Sequence, residues 1–535
     1  MNGAAIAGDF LGVYLANRPV HATFMGIAGR DGDLPRASPA APANERRALG
    51  ALASELADCA EPHDAGQRMD LRIARAEAAV ALADAARRPR QSNPAWYSGE
   101  AMFGVLSLLL PQSEPVRANS VKARLEAIPE FLADGLTQLN GSAPLPWVER
   151  ARREATAFAQ FLTGGFRHHP GFAENWAGPA RRGAQALENF ASAIARSEDD
   201  DPACGEQHLA FLMRTAHGID LPPALALAEA ESAFERLSGE LVEMAAGINH
   251  GLPWQDQLQA LAEIQPLRSE LLRTYRALNA RALELGAHFV SPADDYGLEF
   301  RPLPETFADI ARASYFLSYR CPPALRAGAG SVYWVSAPLQ SDAAAMRAHN
   351  IASIKTTHAA HHGSIGHHTQ NARARAAASR LARVGGTDCA SAPAFLSAGT
   401  MIEGWACHAT DLLLEAEDYY TRAEALLLKH AERRNAAGVI ADIRLHTGAW
   451  SLAEVMRFYR EKAGFPPARV EAEVVRNSIF PASRLMYWFG VEAIRKLRRR
   501  WIGNDRSFHG TLLSYGHVPV AWAGEEMARA GLLRP

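Results

Sequence analysis

The sequence predicts a mainly α fold built round one large core, and three observations carry that prediction. Long stretches rich in alanine, leucine, arginine and glutamate place apolar residues three and four apart, the period of an amphipathic helix. One stretch, Ser331 to Ser336, is instead short, aromatic and β-branched, and Pro338 closes it. With 48% hydrophobic and 21% charged residues over 535 positions, the chain can bury a sizeable core.

In chain order, helices are expected over Asn44–Ala60, Met69–Ala86, Ser120–Leu139, Trp147–Leu162 and Pro223–Ala246. Glycine, proline, serine and aspartate cluster at Gly29–Pro42, Arg88–Pro94, Ser197–Gly205, Pro322–Gly330 and Val384–Pro393, which reads as punctuation between elements. No internal repeat is present. The stretch at 331–336 is an isolated strand or extended edge, either supporting the core or pairing with an extended substrate backbone. Residues 1–330 are expected to form one wall of a deep central cleft. Residues 331–535 carry the site, and the two parts fold as one compact body.

Charge and composition exclude several partners. The net charge is −2, from 56 basic and 58 acidic residues, so no global field would hold nucleic acid or an anionic membrane. The basic run Arg495 to Arg500 reads as a solvated helix end, where the helix dipole favours cations. Met1 to Phe10 lacks the basic start and apolar block of a secretory signal, and no apolar run is long enough to span a bilayer. Five cysteines, odd in number and without a C-x-x-C pair, read as reduced thiols. A cytoplasmic location follows as the expectation.

The candidate chemistry lies in a window of 20 residues that holds six of the 19 histidines: His349, His358, His361, His362, His367 and His368. Two imidazoles on one helical face can hold a divalent cation, and His358 with His362 has the i, i+4 spacing. The H-E-x-x-H pattern of zinc peptidases would need glutamate at 359, where Ala359 stands.

The segment His361-His-Gly-Ser-Ile-Gly-His-His-Thr-Gln370 resembles the His-Glu-x-x-Pro-Gly-His-x-x-Gln signature of the bacterial "domain of unknown function 885" family, related to zinc-dependent peptidases. Glu403-Gly-Trp-Ala406 is similar to that family's Glu-Gly-Trp-Ala motif. Further similarity covers Ala441 to Gly448, Trp450, Arg476, Pro481, Tyr487, Gly490 and the N-terminal stretch Asp9 to Pro39. The resemblance implies a large helical metallopeptidase-like fold. It also implies that His361, His367 and Glu403 bind a metal, with Gly363 and Gly366 permitting a bulge that turns both imidazoles to one point. A His₂Glu set with an open position suits zinc, although imidazole also suits iron and other transition metals.

Where the family keeps its general-base glutamate, this chain has His362, and Ile365 replaces the family's proline. His362 is either a substitute base or a further ligand. His358 and His408 are possible additional ligands. The resemblance assigns His446 and Tyr487 to catalysis and Arg444 and Arg476 to substrate binding. The leading expectation is a metal-dependent hydrolase acting on an amide or related bond of a small peptide-like or amino-acid-derived compound. A non-hydrolytic metalloenzyme on the same scaffold and a silent binding protein are the alternatives.

Overall fold

The computed structural model of the protein describes residues 5–87, 92–110, 117–139, 143–195, 201–293, 296–313, 318–326, 330–336, 342–390, 392–416 and 418–535. Residues 1–4, 88–91, 197–200, 327–329, 338 and 391, on which parts of the expectations above fall, lie outside the described residues. The chain is mainly helical, as predicted.

The five anticipated helices run over Ala41–Ala57, Ala65–Ala86, Ala118–Gln138, Leu145–Thr163 and Pro223–Ile248. Local chemistry fixes several of the ends. Asp64 accepts the Gln67 amide at the start of the second, and Thr421 with Glu424 forms a reciprocal capping box that starts the 25-residue helix Arg422–His446. The principal core cluster takes residues from Ile6 to Met527, including Trp176 and Trp405, so the two ends of the sequence share one interior. Polar contacts span the same distance in sequence. The Tyr14 hydroxyl donates to Ala394 O at 3.1 Å, and the Trp147 indole donates to Ser478 Oγ at 2.8 Å. A fully buried Arg124 is satisfied by Thr23 Oγ1 at 2.6 Å, Ser107 Oγ at 3.0 Å and Asp33 O at 3.0 Å. Without those acceptors a buried guanidinium would destabilise the fold.

The β element is a three-stranded sheet: β1 (Gly297–Pro302), β2 (Tyr319–Arg320) and β3 (Gly330–Val335), in the order β1-β3-β2. β3 runs parallel to β1, with Gly297 beside Gly330 and Pro302 beside Val335, and antiparallel to β2. The anticipated strand is therefore the central one, and the reading of it as an isolated or free edge is corrected. Its backbone groups are taken on both sides. Gly330 has φ +123°, and a Cβ there would come within 2.1 Å of Gly297 O, so the close start of the β1–β3 pair requires glycine. Tyr333 and Val335 of β3 pack with Phe300, Tyr275 and Ile354, which sets the sheet behind the start of the histidine segment.

The basic run ends the helix Leu485–Arg500. Arg495 pairs there with Asp411, Glu432 and Glu492, and Arg498 with Glu415 and Asp505. These ion pairs give the run a structural role.

Candidate metal centre

The histidine segment is wound unusually. Asn350 caps a short α turn, Ile351–Ser353, after which Ile354–His361 is π-helical, and His362 N reaches back five residues to Thr357 O at 3.0 Å. The wider winding is followed by a turn and by the helix His367–Ala374. A Cβ at Gly363 would lie 2.2 Å from Ala359 O, and one at Gly366 would lie 1.9 Å from His361 O. The bulge read from the two glycines is present, and the backbone approaches itself too closely there for any side chain.

Three further residues hold this turn. Asn279, buried on the helix Leu271–Gly286, donates to Ser364 Oγ at 2.7 Å and accepts Ser364 N at 3.0 Å. The Trp405 indole donates to Ile365 O and Gly366 O at 3.0 and 3.1 Å. Gln370 donates to Met401 O at 2.7 Å, which leaves its Oε1 to accept from His367 Nδ1 at 3.1 Å. With Nδ1 carrying the proton, His367 has its Nε2 lone pair free for a ligand.

The turn brings His361, His362 and His367 together, with one potential ligand atom of each within 4.8 Å of the others. Glu403 approaches from the facing helix Gly399–Glu415, where its Oε2 lies 3.5 Å from His361 Nε2 and is buried without a hydrogen-bond partner. Two atoms each about 2.1 Å from one tetrahedral zinc would stand about 3.4 Å apart. The orphaned carboxylate oxygen, the freed imidazole nitrogen of His367 and the close His361–Glu403 approach thus fit a divalent metal.

Glu403 is set by a tight helix crossing. A Cβ on its neighbour Gly404 would meet Gly490 C at 2.5 Å, so the helix Gly399–Glu415 lies directly on the helix Leu485–Arg500. The Glu-Gly-Trp-Ala block then has a physical meaning. Its glutamate faces the histidines, its glycine permits the crossing and its tryptophan ties the bulge.

Electrostatics follow the geometry. Burial alone would raise the Glu403 carboxyl, but His361, His367 and Arg476 hold it down at about 2. Burial, reinforced by His361, lowers His367 to about 4 against the opposing pull of Glu403 and Gln370. His362 is held well below the usual imidazole range by burial, with His361, His367, His358 and Arg469 adding to it. His362 and His367 are thus neutral imidazoles.

The other anticipated residues divide. Arg476 stands within electrostatic reach of Glu403, and Tyr487 lies under the Arg484 guanidinium at 4.7 Å. His358 is hydrogen-bonded through Nδ1 to the Tyr333 hydroxyl and falls outside the three-histidine group. His408 is turned away: five residues after Glu403, it lies roughly 140° round the helix. It pairs with His509, Nε2 to Nε2 at 2.9 Å.

Arg444 and His446 are not brought to the cluster. Asn435 of their helix touches Cys407, one turn past Glu403, at 3.5 Å. Arg444 and His446 lie roughly 14 and 16 Å further along that axis. Arg444 is partly exposed, paired with Glu231 and stacked 5.0 Å from the Trp450 ring. His446 is fully buried against Asn477 O at 2.9 Å and Asp442 at 3.3 Å. It supports from behind the connection that follows Arg476.

Sequence reading passed over Asn279 and Asp388, and took Asp442 only as part of the stretch Ala441 to Gly448, with no role of its own. Asp442 accepts the amides of Ala482 and Arg484 at 3.2 and 2.8 Å, holding Ala482 at φ +66°. Asp388 is pushed up to about 6 by burial, opposed first by Arg320, with Glu403 adding to the rise. No sequence motif marks Asn279 or Asp388, because each works through a fold contact with a residue far along the chain.

The sequence profile of the family described as "Bacterial protein of unknown function (DUF885)" matches residues 19–527. The chain belongs to this family. Among solved structures, a DUF885 fold of this shape is matched at TM-score 0.76 and 18% identity by a "putative lipoprotein of unknown function" from Shewanella oneidensis, covering 99% of this chain and 100% of that one. The protein of the same "putative lipoprotein" description from Colwellia psychrerythraea matches at TM-score 0.80 and 17% identity over 99% of each chain. At these identities the likeness is one of fold. No functionally curated protein matches the chain. No described helix is long and apolar enough to cross a membrane.

Proposed function

We propose that this DUF885 member is a metal-dependent hydrolase acting on an amide or related bond of a small peptide-like or amino-acid-derived substrate. The observation that carries the reading is the convergence of His361, His367 and the orphaned Glu403 carboxylate, with His362 beside them. His361, His367 and Glu403 would hold the metal, and zinc suits that donor set. A divalent zinc there supplies Lewis-acid polarisation of a carbonyl and a nucleophile at neutral pH. His362, neutral and adjacent, accepts the proton released in the attack and returns it to the leaving nitrogen. Gln370 keeps His367 in the tautomer that binds, and Trp405 fixes the turn. Tyr487 and Arg476 orient the carbonyl and the anionic end of the substrate.

One observation favours a second reading. His362 belongs to the same 4.8 Å group as the other two histidines and so can serve as a further ligand. The site would then lack a base, and its chemistry would be non-hydrolytic. The location is proposed as cytoplasmic on the five free cysteines. The lipoprotein description of the two structural neighbours points instead to the cell envelope, and fractionation decides between them.

The deciding experiment is elemental analysis of freshly purified protein, with a screen of peptide and amide substrates. Metal bound by the unaltered chain and lost in His361→Ala, His367→Ala and Glu403→Ala is expected. His362→Glu should keep the metal and retain or raise hydrolysis. Unchanged metal content in all three alanine variants would refute the ligand assignment. Loss of metal in His362→Glu would favour the non-hydrolytic reading.

A further inference from the structure

A cavity separate from the three-histidine group lies one helical turn further along the helix His367–Ala374. Asn371 and Arg375 follow His367 at intervals of four, so they repeat its face on successive turns, the first of them roughly 6 Å along the axis. Both line the cavity, together with Tyr296, Arg383 and His517. Its space is about 230 Å³, open mouth included, which is below the roughly 300–1,000 Å³ of pockets that enclose whole small-molecule ligands. It has room for one small ion or group.

The wall is positive and incompletely bonded. Among the described residues no carboxylate lines it. Arg375 Nη1 donates to Pro322 O and Pro323 O at 3.4 and 3.2 Å and its Nη2 to Arg326 O, while Arg383 Nε donates to Ala377 O at 2.7 Å. These acceptors are neutral, and among the described residues neither arginine forms an ion pair. The Tyr296 ring packs 5.4 Å from the Arg375 guanidinium and 5.2 Å from the His368 ring, which fixes its place on the wall. The Tyr296 hydroxyl and His517 Nδ1 are buried without a hydrogen-bond partner. A Cβ on Gly386 would stand 2.5 Å from His517 Nδ1, so the imidazole is seated against bare backbone. Buried polar groups left open destabilise a fold unless a ligand or water completes them, and two uncompensated guanidinium charges select a negative ligand.

We infer that this cavity binds a small oxyanion, a phosphate or a carboxylate, through the Nη groups of Arg383, the Tyr296 hydroxyl and His517. Arg375 is occupied by backbone carbonyls and holds the wall while adding its charge. The planar fork of a guanidinium suits either anion. The inference does not rest on the hydrolase reading: the anion is a second ligand, apart from the substrate end given to Arg476.

Calorimetric titration of the purified full-length protein with sodium phosphate, and separately with sodium acetate, tests this at fixed ionic strength before and after treatment with a chelator. Binding at a single site is expected in both forms. Arg383→Gln should weaken it by about tenfold or more, as for the loss of a charge-assisted contact. Tyr296→Phe, which removes only the hydroxyl, should weaken it by about threefold or more. Arg380→Gln is the control: it removes the same charge from an exposed position of the same short helix, off the cavity wall, and should leave binding within about twofold. Phosphate binding more tightly than acetate would identify the ligand as a phosphoryl group, and the reverse as a carboxylate; either result, if it depends on Arg383, supports the site. Binding lost on chelation would place the anion at the metal centre and overturn the inference. So would no binding of either anion, or an effect of Arg380→Gln as large as that of Arg383→Gln.

Discussion

Adding one methyl group at Gly404 should loosen the metal centre while leaving the fold intact. The Cβ of Gly404→Ala would lie 2.5 Å from Gly490 C, whereas ordinary contact begins at 3.4 Å, so the two helices must part by 3.4 − 2.5 = 0.9 Å. Glu403 is the adjacent residue, and its carboxylate stands 3.5 Å from His361 Nε2. Metal–ligand distances tolerate only about 0.2 Å, so a shift of this size should weaken metal binding by about tenfold or more. Overpacking of this kind costs about 1–3 kcal/mol. With an unfolding entropy of roughly 1.1 kcal/mol/K for a chain of this length, the melting point falls by only about 1–3 °C. Elemental analysis after dialysis against a weak chelator reads the first effect, and a thermal scan reads the second. Gly239→Ala is the control, because nothing lies within 4 Å of a Cβ at that helical position. A Gly404→Ala protein that binds metal and melts like the unaltered chain would refute this account of the crossing.

Three further outcomes are expected. Gln370→Leu frees His367 Nδ1 and should weaken metal binding about 10- to 100-fold, measured by competition with a chromogenic chelator. Trp405→Phe removes the donor shared by Ile365 O and Gly366 O and should destabilise the protein by about 1–3 kcal/mol in chemical denaturation. Asp442→Asn should change the pH dependence of stability. Burial raises the Asp442 carboxyl from 3.8 to about 7, against the backbone amides of Arg484 and Ala482. The folded state therefore holds that proton more tightly than the unfolded chain between about 4 and 7, and its contribution is lost as pH rises through that window. Denaturation series across it should show that downward slope in the unaltered chain and a flatter one in Asp442→Asn.

The helical class was legible because its signal is local and repeated. Alanine-rich periodicity located Ala65–Ala86 and Pro223–Ile248 to within a few residues. The middle position of β3 was not legible. Its partner β1 lies about thirty residues upstream and is joined in parallel, and nothing in the residues of β3 states which side will be covered. His408 and Arg444 misled for a related reason. Each stands close in sequence to a motif, but a helix turns about 100° and rises about 1.5 Å per residue, so a few positions carry a side chain to another face or another depth.

The clustering of the histidines was legible through the glycines more than through the histidines themselves. Histidine spacing of six, from 361 to 367, is wrong for one face of a regular helix, and only a break in the winding makes it useful. Gly363 and Gly366 announce that break, because the backbone passes within side-chain distance of itself at both. The π winding of Ile354–His361 has no comparable sequence mark, and the turn that follows it is tied at Ser364 by Asn279 and at Ile365 by Trp405, both far along the chain. The scaffold around the turn is thus held by residues distinct from the one that has changed. Position 362 contributes none of the hydrogen bonds that fix Ser364, Ile365, Gly366 or His367. A histidine can stand at 362 in place of the signature's glutamate without disturbing the bonds that place His361, His367 and Glu403, so on the proposed reading the proton acceptor can change while the ligand geometry is kept.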